Sequence, residues 1–146
     1  MSIHSKVYGG GNFEPSTLVE LLRWRATNFA QRRAYTYLRD GEENDILVTY
    51  EDLDRRARAL GAWLQSLGAT GERALLIYPP GIEYITAFFG CLYAGVIAVP
   101  AYPPDPPRLN RTLPRLQAIA RDAQAKLVAL HRSNSTNVDG SKFPPP

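Results

Sequence analysis

Two short loops hold the residues whose types and positions suit a ligand site. Each loop follows an apolar run and combines proline with tyrosine, at residues 78–81 and at residues 101–104. The apolar runs are predicted parallel strands, and the loops that leave the carboxyl ends of such strands meet at the edge where open α/β sheets bind ligands. The sequence therefore predicts that eight residues form the rim of a site: Tyr78, Pro79, Pro80, Gly81, Ala101, Tyr102, Pro103 and Pro104.

The same residues also have a purely structural interpretation, in which prolines and tyrosines stiffen two loops. No catalytic constellation accompanies them. The glycines at positions 9–11 follow no predicted strand and precede no Lys-Ser/Thr pair, so they do not form a phosphate-binding P-loop. His4 and His131 lie far apart and have no partners at metal-ligand spacing. We therefore assign no catalytic residue and no metal ligand.

A strand–helix–strand pattern is expected to position the two loops. Residues 74–78 are apolar and about one strand long, and residues 96–99 form a second, β-branched run that ends at Pro100. Between them, apolar residues recur with the spacing of one helix face, and Gly95 stands where a helix would end. The pattern predicts a βαβ unit with parallel strands. The apolar face of its helix consists of Ile82, Ile85, Phe89 and Leu92.

Before this unit, the sequence predicts a helix and a hairpin. Thr17 and Glu20 have the spacing of a capping box and mark a helix start. Two β-prone runs, at residues 34–39 and 46–49, predict an antiparallel hairpin. Residues 42–45 between them are polar and include three carboxylates, which can bind a cation, but their irregular spacing favours a solvated loop.

A second helix is predicted from Thr49 to about Leu67, where Gly68 ends it. Its outer face carries acids placed four residues before arginines, an arrangement that stabilises helices slightly. We expect these groups to be structural. The three predicted pairs are Glu51–Arg55, Asp52–Arg56 and Asp54–Arg58.

After the βαβ unit, residues 100–107 form a proline-rich connector between strand and helix, or alternatively a ligand for an adaptor domain. Thr112 is expected to cap the last helix, with Pro114 in its first turn. Residues 126–130 predict another parallel strand. The buried face of the last helix is expected to consist of Leu113, Leu116, Ile119, Ala120 and Ala123.

Length and composition indicate one globular domain. The chain has 146 residues, of which 45% are hydrophobic and 21% charged. We expect residues 1–15 to be a disordered leader, residues 16–132 to form the α/β unit, and residues 133–146 to be a disordered or non-family tail. Cys91 is the only cysteine, so no disulfide forms. With no secretory signal, this predicts a cytoplasmic protein.

Two other partners are not expected. Residues 84–104 carry no charge and are numerous enough to span a bilayer, but Gly95 and the prolines divide the stretch, so no membrane span is predicted. Residues 108–132 are basic, but no nucleic-acid motif accompanies them, and we interpret them as a solvated face. The basic residues are Arg108, Arg111, Arg115, Arg121, Lys126 and Arg132, with Asp122 as the acid among them.

Several stretches of the chain resemble one family. LLIYPPG at residues 75–81, FFGCLYAGVIAVP at 88–100 and AYPP at 101–104 are similar to the N-terminal part of fatty acyl-AMP ligases, and VTYEDL at 48–53 resembles an earlier signature. These ligases belong to the adenylate-forming superfamily, with acyl-CoA synthetases and nonribosomal adenylation domains. The resemblance runs from about Thr17 to Leu130. It implies a mainly parallel α/β sheet with helices on both faces, as in the N-terminal subdomain of these enzymes, and a short hairpin.

The resemblance also implies a reaction. Fatty acyl-AMP ligases use ATP and magnesium to convert a fatty acid into an acyl-adenylate, then pass the acyl group to the phosphopantetheine of an acyl carrier protein, as in polyketide and nonribosomal peptide biosynthesis. The family's phosphate loop and catalytic lysine lie downstream of the matched part and are absent here, so the chain alone is expected to be inactive. The alternatives are an acyl-CoA synthetase fragment and a non-catalytic interaction module, which would self-associate through an exposed sheet edge.

Overall fold

The computed structural model describes residues 13–38 and 46–130. Most of the predicted leader, the acidic hairpin loop and the predicted tail lie outside these ranges. The described elements, in chain order, are α1 (Leu18–Asn28), β1 (Arg33–Tyr37), β2 (Ile46–Thr49), α2 (Tyr50–Ser66), β3 (Arg73–Ile77), α3 (Ile82–Ala94), β4 (Ile97–Ala101), a 3₁₀ turn (Pro106–Arg108), α4 (Leu109–Asp122) and β5 (Leu127–Leu130).

The sheet that carries the loops is parallel and has the strand order β4-β3-β5. The chain steps from β3 to β4 in one direction and from β4 to β5 in the other. Because such crossovers are right-handed, α3 and α4 must cover opposite faces of the sheet. β1 and β2 form a separate antiparallel hairpin. The predicted βαβ unit, the third parallel strand and the hairpin are all confirmed.

The core lies between β3 and the pair α2 and α3. Leu76 of β3 is fully buried there, with Leu64 of α2 and Cys91 of α3. Full burial of one such leucine contributes about 1.5–3 kcal/mol to stability. A second cluster joins α1, the hairpin and α2 through Leu22, Val48 and Leu53. The central strand and the helix that follows it are therefore held in place by packing on one face.

The predicted helix ends are largely confirmed. Thr17 accepts a hydrogen bond from the backbone N–H of Glu20 at 3.0 Å, and Thr49 accepts one from Asp52 at 3.2 Å. The Glu20 carboxylate accepts in return from the backbone N–H of Thr17 and also from that of Ser16, so the first capping box is closed from both sides. Gly95 ends α3 in the left-handed conformation, with φ of 69°.

Two of the three predicted ion pairs on α2 are wrong. Asp52 pairs with Arg55, three residues on, at 2.7 Å, and not with Arg56. The Asp52 carboxylate also accepts a hydrogen bond from the Thr49 hydroxyl, which holds it at the helix start. Glu51 accepts instead from Gln31, at 2.6 Å. The pair between Asp54 and Arg58 is present, at 3.7 Å.

The start of the last helix is also corrected. α4 begins at Leu109, directly after the 3₁₀ turn, so Thr112 lies inside the helix and its hydroxyl donates to the backbone oxygen of Arg108. Pro106 begins the 3₁₀ turn, where a missing N–H costs nothing, and this nucleates the helix earlier than predicted. Pro114 is therefore an interior residue. The predicted apolar face is only partly covered, since no residue of α4 is fully buried.

Pro100 does not end its strand as expected but lies inside β4. The backbone N–H of Ile97 donates to the Glu72 oxygen beside β3, so its N–H points inward. Backbone groups alternate along a strand, so the nitrogen of Pro100 points away from β3, toward the outer edge. Proline is tolerated there because no hydrogen bond within the sheet is lost.

Three helices meet at Tyr93 of α3. Its hydroxyl donates to the Asp54 carboxylate of α2, and the Arg23 guanidinium of α1 lies 5.3 Å from the centre of its ring. Burial raises the pKa of Tyr93 well above its usual range, and the hydrogen bond to Asp54 raises it further. The tyrosine therefore remains a neutral donor that links α2 to α3.

Tyr93→Phe is expected to lower the free energy of unfolding by about 1–2 kcal/mol, because the Asp54 carboxylate loses its donor. Urea denaturation of the wild type and the variant measures this difference. Tyr102→Phe is the matched control, since the Tyr102 side chain is 85% exposed and its hydroxyl adds little to stability. Equal losses in both variants would contradict the assigned role of Tyr93.

In the two described ranges, no helix combines the length and the apolar character that crossing a membrane requires. The uncharged stretch at residues 84–104 is divided between α3 and β4, with Gly95 between them. This is the division that the sequence predicts.

Candidate functional site

The parallel register places the carboxyl ends of the three strands at one level. Ile77, at the end of β3, lies opposite Ala101 of β4 on one side and Leu130 of β5 on the other. The loop at residues 78–81 therefore leaves the sheet beside the loop that starts at residue 102. The structure thus brings both predicted rim segments together at one edge.

The first rim segment connects β3 to α3. Tyr78 is partly buried and packs against the core cluster, and burial, with Cys91 and Glu83 nearby, raises the pKa of its hydroxyl. Pro79 and Pro80 are exposed. Gly81 precedes the first residue of α3 with extended backbone and no side-chain cap. This segment offers a neutral phenol anchored in the core and a stiff, exposed turn.

The second rim segment continues from β4 toward the 3₁₀ turn. Ala101 is its last strand residue and is partly buried, as are Pro103 and Pro104. Tyr102 is 85% exposed and is the most exposed large hydrophobic residue in the described ranges. The Tyr102 ring therefore lies largely in solvent at this edge of the sheet.

Charged groups at this edge were not part of the predicted rim. Glu83 lies in the first turn of α3, where a carboxylate suits the positive end of the helix dipole. Asp105 follows the second segment, 3.8 Å from Arg108. Glu83 and Asp105 lie next to the two loops in the sequence. That position could have placed them in the predicted rim. In the described ranges, no three His, Cys, Asp or Glu residues lie close enough together to hold a metal ion.

The two rim segments bring mainly neutral groups to this edge of the sheet. Tyr78 remains protonated at neutral pH, and Cys91 is a buried core residue rather than a nucleophile at the rim.

Comparisons with known proteins give this arrangement a family. Residues 22–143 match the model of the AMP-binding enzyme family. The medium-chain-fatty-acid–[acyl-carrier-protein] ligase JamA of Moorena producens is 53% identical over 115 residues, which are 79% of this chain and 19% of that protein. Disco-interacting protein 2 of Drosophila melanogaster is 32% identical over 143 residues, 90% of this chain and 8% of that protein.

A solved structure agrees. The fatty acid AMP ligase from Legionella pneumophila is 40% identical and superposes with a TM-score of 0.73, over 80% of this chain and 20% of that one. The chain thus spans about a fifth or less of the length of these relatives. By sequence and by fold, this chain belongs to the AMP-binding enzyme family and has the α/β architecture of the N-terminal subdomain of adenylate-forming enzymes.

Proposed function

We propose that this chain is the N-terminal α/β part of a fatty acyl-AMP ligase. Such an enzyme activates a fatty acid with ATP to an acyl-adenylate and passes the acyl group to the phosphopantetheine of an acyl carrier protein. The observation that carries the proposal is the 53% identity to a medium-chain-fatty-acid–[acyl-carrier-protein] ligase. A second solved structure of the Legionella pneumophila enzyme, 40% identical, contains acyl adenylate and pyrophosphate, the products of the first half-reaction.

In this proposal, the two loops form one wall of the substrate site. Residues 78–81 and 101–104 lie side by side at the carboxyl edge of the sheet, and they combine exposed rings with stiff backbone. The eight rim residues contact the substrate or the protein segment that closes over it. They orient and shield the substrate but make no bonds.

The described residues do not fit ATP or magnesium. They include no cluster of three possible metal ligands, and the chain has no P-loop motif. We further propose that these 146 residues do not form acyl-adenylate by themselves and act together with the nucleotide-binding parts of a ligase, in the cytoplasm.

Two alternatives differ in what the chain does with the same fold. An acyl-CoA synthetase would use coenzyme A in place of a carrier protein as the acyl acceptor. A non-catalytic interaction module would carry out neither half-reaction. The second alternative is favoured by the similarity to Disco-interacting protein 2, whose name describes an interaction rather than a reaction.

A chimera tests the proposal. This chain replaces the corresponding fifth of the Moorena producens ligase, and ATP–pyrophosphate exchange is measured with a medium-chain fatty acid. We expect the chimera to be active and the isolated chain to be inactive. In the chimera, Tyr102→Ala is expected to lower kcat/KM by about tenfold, because a wall of the site is removed. Leu18→Ala is the control, since Leu18 is exposed on α1 and lies outside the rim.

The possible outcomes separate the alternatives. A chimera that folds but forms no adenylate would favour the interaction module. Activity of the isolated chain would show that the claim of insufficiency is wrong. Transfer of the acyl group to coenzyme A rather than to the carrier protein in the second half-reaction would favour the synthetase.

A further inference from the structure

We propose that Tyr78 is a positioning residue for the first rim segment, because its ring fixes where residues 79–81 stand at the edge of the sheet. Tyr78 thus acts through the loop, beyond any contact of its own with a ligand. The placement of the loop does not depend on what the chain does. Its consequence for substrate binding rests on the proposed function, and the two are tested separately.

The first observation is that the Tyr78 side chain continues the row of β3 side chains that faces the core. Ala74 and Leu76 belong to the core cluster between this strand and the helices α2 and α3, and both are buried. Side chains alternate between the two faces of a strand, so Tyr78 follows them on the same face. It packs against that cluster, one residue beyond the end of the strand. The ring therefore lies on the side of the sheet that α3 covers.

Two groups of α3 lie near the Tyr78 hydroxyl. Burial raises the pKa of Tyr78, and the nearby Cys91 and Glu83 raise it further. Glu83 lies in the first turn of the helix, and Cys91 is a buried residue farther along it. The ring thus fills the angle between the end of β3 and the beginning of α3. A shorter side chain leaves that angle unfilled, and the close-packed interior must shift to compensate.

The second observation is that the other end of the loop is anchored in a different cluster. Ile82, the first residue of α3, is 3% exposed and belongs to the cluster that contains Leu22 of α1 and Leu53 of α2. Residues 79–81 are therefore a bridge of three residues between two side chains that pack in the interior. Core packing holds this bridge at both ends.

The third observation is that the bridge itself is stiff. Pro79 and Pro80 each have φ fixed at about −65°. A residue that precedes proline is also restricted to extended backbone, and this applies to Tyr78 and to Pro79. A bridge with so few free torsions absorbs little movement at its ends. A shift of the Tyr78 ring is therefore transmitted to the two exposed prolines and to Gly81.

The other rim segment shows that this anchoring is not a property of the Tyr-Pro-Pro sequence. Tyr102 also follows a strand and precedes two prolines. Because Ile77 and Ala101 are paired at the ends of their strands, Tyr78 and Tyr102 leave the sheet at the same level. The Tyr102 side chain is nevertheless 85% exposed. The role proposed for Tyr78 therefore depends on its contacts with the core and with α3.

Alkylation of Cys91 in the purified chain tests the placement of the loop. Tyr78→Leu is expected to open a path to the neighbouring thiol, so that Cys91 reacts about tenfold faster than the unfolded population accounts for. Urea denaturation of the same variant gives that population. The matched control is Leu127→Ala, which trims the same cluster at the opposite end of the sheet, beside Ala74. Its alkylation rate is expected to follow its stability.

The conservative variant separates the ring from the hydroxyl. Tyr78→Phe keeps the ring and is expected to restore slow alkylation. A rate in Tyr78→Leu that stability alone explains overturns the proposal, as does an equal excess in Leu127→Ala. If Tyr78→Leu does not fold, Tyr78→Met, a longer apolar side chain without a ring, decides the result in the same way.

The chimera with the Moorena producens ligase tests the consequence for substrate binding. Tyr78→Leu is expected to raise KM for the medium-chain fatty acid about tenfold with little change in kcat, because a displaced wall weakens binding. Tyr78→Phe is expected to recover most of this loss, and Leu127→Ala to leave KM within about twofold.

The outcomes distinguish the positioning role from the proposed function. An unchanged KM in Tyr78→Leu overturns the consequence for binding, as does a rise that Leu127→Ala shares or that Tyr78→Phe does not recover. If the chimera without these substitutions forms no adenylate, the proposed function fails. The alkylation of Cys91 then still decides whether Tyr78 places the loop.

Discussion

Gly90→Val is expected to lower the free energy of unfolding by about 3 kcal/mol, because α2 and α3 pack too closely for a side chain at this position. A Cβ atom at Gly90 would lie 2.7 Å from Cδ2 and 3.0 Å from Cβ of Leu60. The approach is reciprocal, since a Cβ at Gly61 would lie 2.8 Å from Cβ of Tyr93. Two helices must therefore separate to admit valine.

The measurement is urea denaturation of Gly90→Val against Ala62→Val. Ala62 is exposed on α2, so the control adds a β-branched residue to a helix without crowding the contact. The gain from removing a helical glycine, less than about 1 kcal/mol, is smaller than the overpacking cost. A Gly90→Val protein as stable as the control would falsify the close approach of the two helices.

The same substitution is expected to abolish adenylate formation in the chimera. The first turn of α3 follows the rim segment at residues 78–81, and α3 is held against the sheet by its contact with α2. Separation of the two helices therefore displaces the rim as well as weakening the core. A stable but inactive chimera would show that the position of α3 matters to the site.

The elements that the sequence predicted best are those with strong signals at both ends. The helix α3 is preceded by two prolines and a glycine and ends at Gly95, and its apolar residues repeat with a helical period. The strands on either side are apolar runs too short for helices. Their parallel pairing then follows from a connection that contains a helix. Consecutive residues of β3 are buried, so both faces of this strand are covered, and this explains why its sequence is continuously apolar.

Predictions based on one local signal were less reliable. Thr112 is a good capping residue, but the prolines at 106 and 107 favour an earlier turn, and sequence alone does not rank the two signals.

Arginine side chains are long enough to reach acids three or four residues away. Which pair forms depends on a third group, such as the Thr49 hydroxyl beside Asp52. Close packing at Gly90 has no signal in a single sequence, because a helical glycine fits many contexts.

The candidate site was predicted only at the level of its location. Strand order and register place residues 78–81 and 101–104 at one edge, and topology rules alone lead to that placement. The burial of Tyr78 and the exposure of Tyr102 could not be inferred, because both tyrosines follow strands and precede prolines. What separates them is packing against the core, which depends on side chains distant in sequence.

Raising the pH above about 9 is expected to destabilise the protein through Cys91. The ordinary pKa of this thiol is 9.0, and burial raises it to about 11. Between these values, the unfolded chain loses the Cys91 proton while the folded chain keeps it. The contribution of the protonated thiol to stability is therefore complete below pH 9.0 and decreases as the pH rises toward about 11. The full change amounts to about 2–3 kcal/mol.

The slope of stability against pH isolates this effect. Cys91→Ala leaves a small cavity and is less stable at neutral pH, but it lacks the titrating thiol, so its stability should fall less steeply in the alkaline range. Tyr93, whose pKa is also raised by burial, titrates in both proteins and cancels in the comparison. Parallel slopes for the two proteins would mean that the Cys91 proton is not linked to folding.

The same burial makes Cys91 a reporter of unfolding. A pKa raised from 9.0 to about 11 leaves about 100-fold less thiolate at neutral pH, and the side chain is only 2% exposed. Alkylation should therefore proceed mainly through the unfolded chain, at a rate set by its population. Because Gly90→Val increases that population, Cys91 should react faster in this variant than in Ala62→Val. Equal rates in the two variants would show that the reagent reaches Cys91 through a local opening that does not involve separation of α2 and α3.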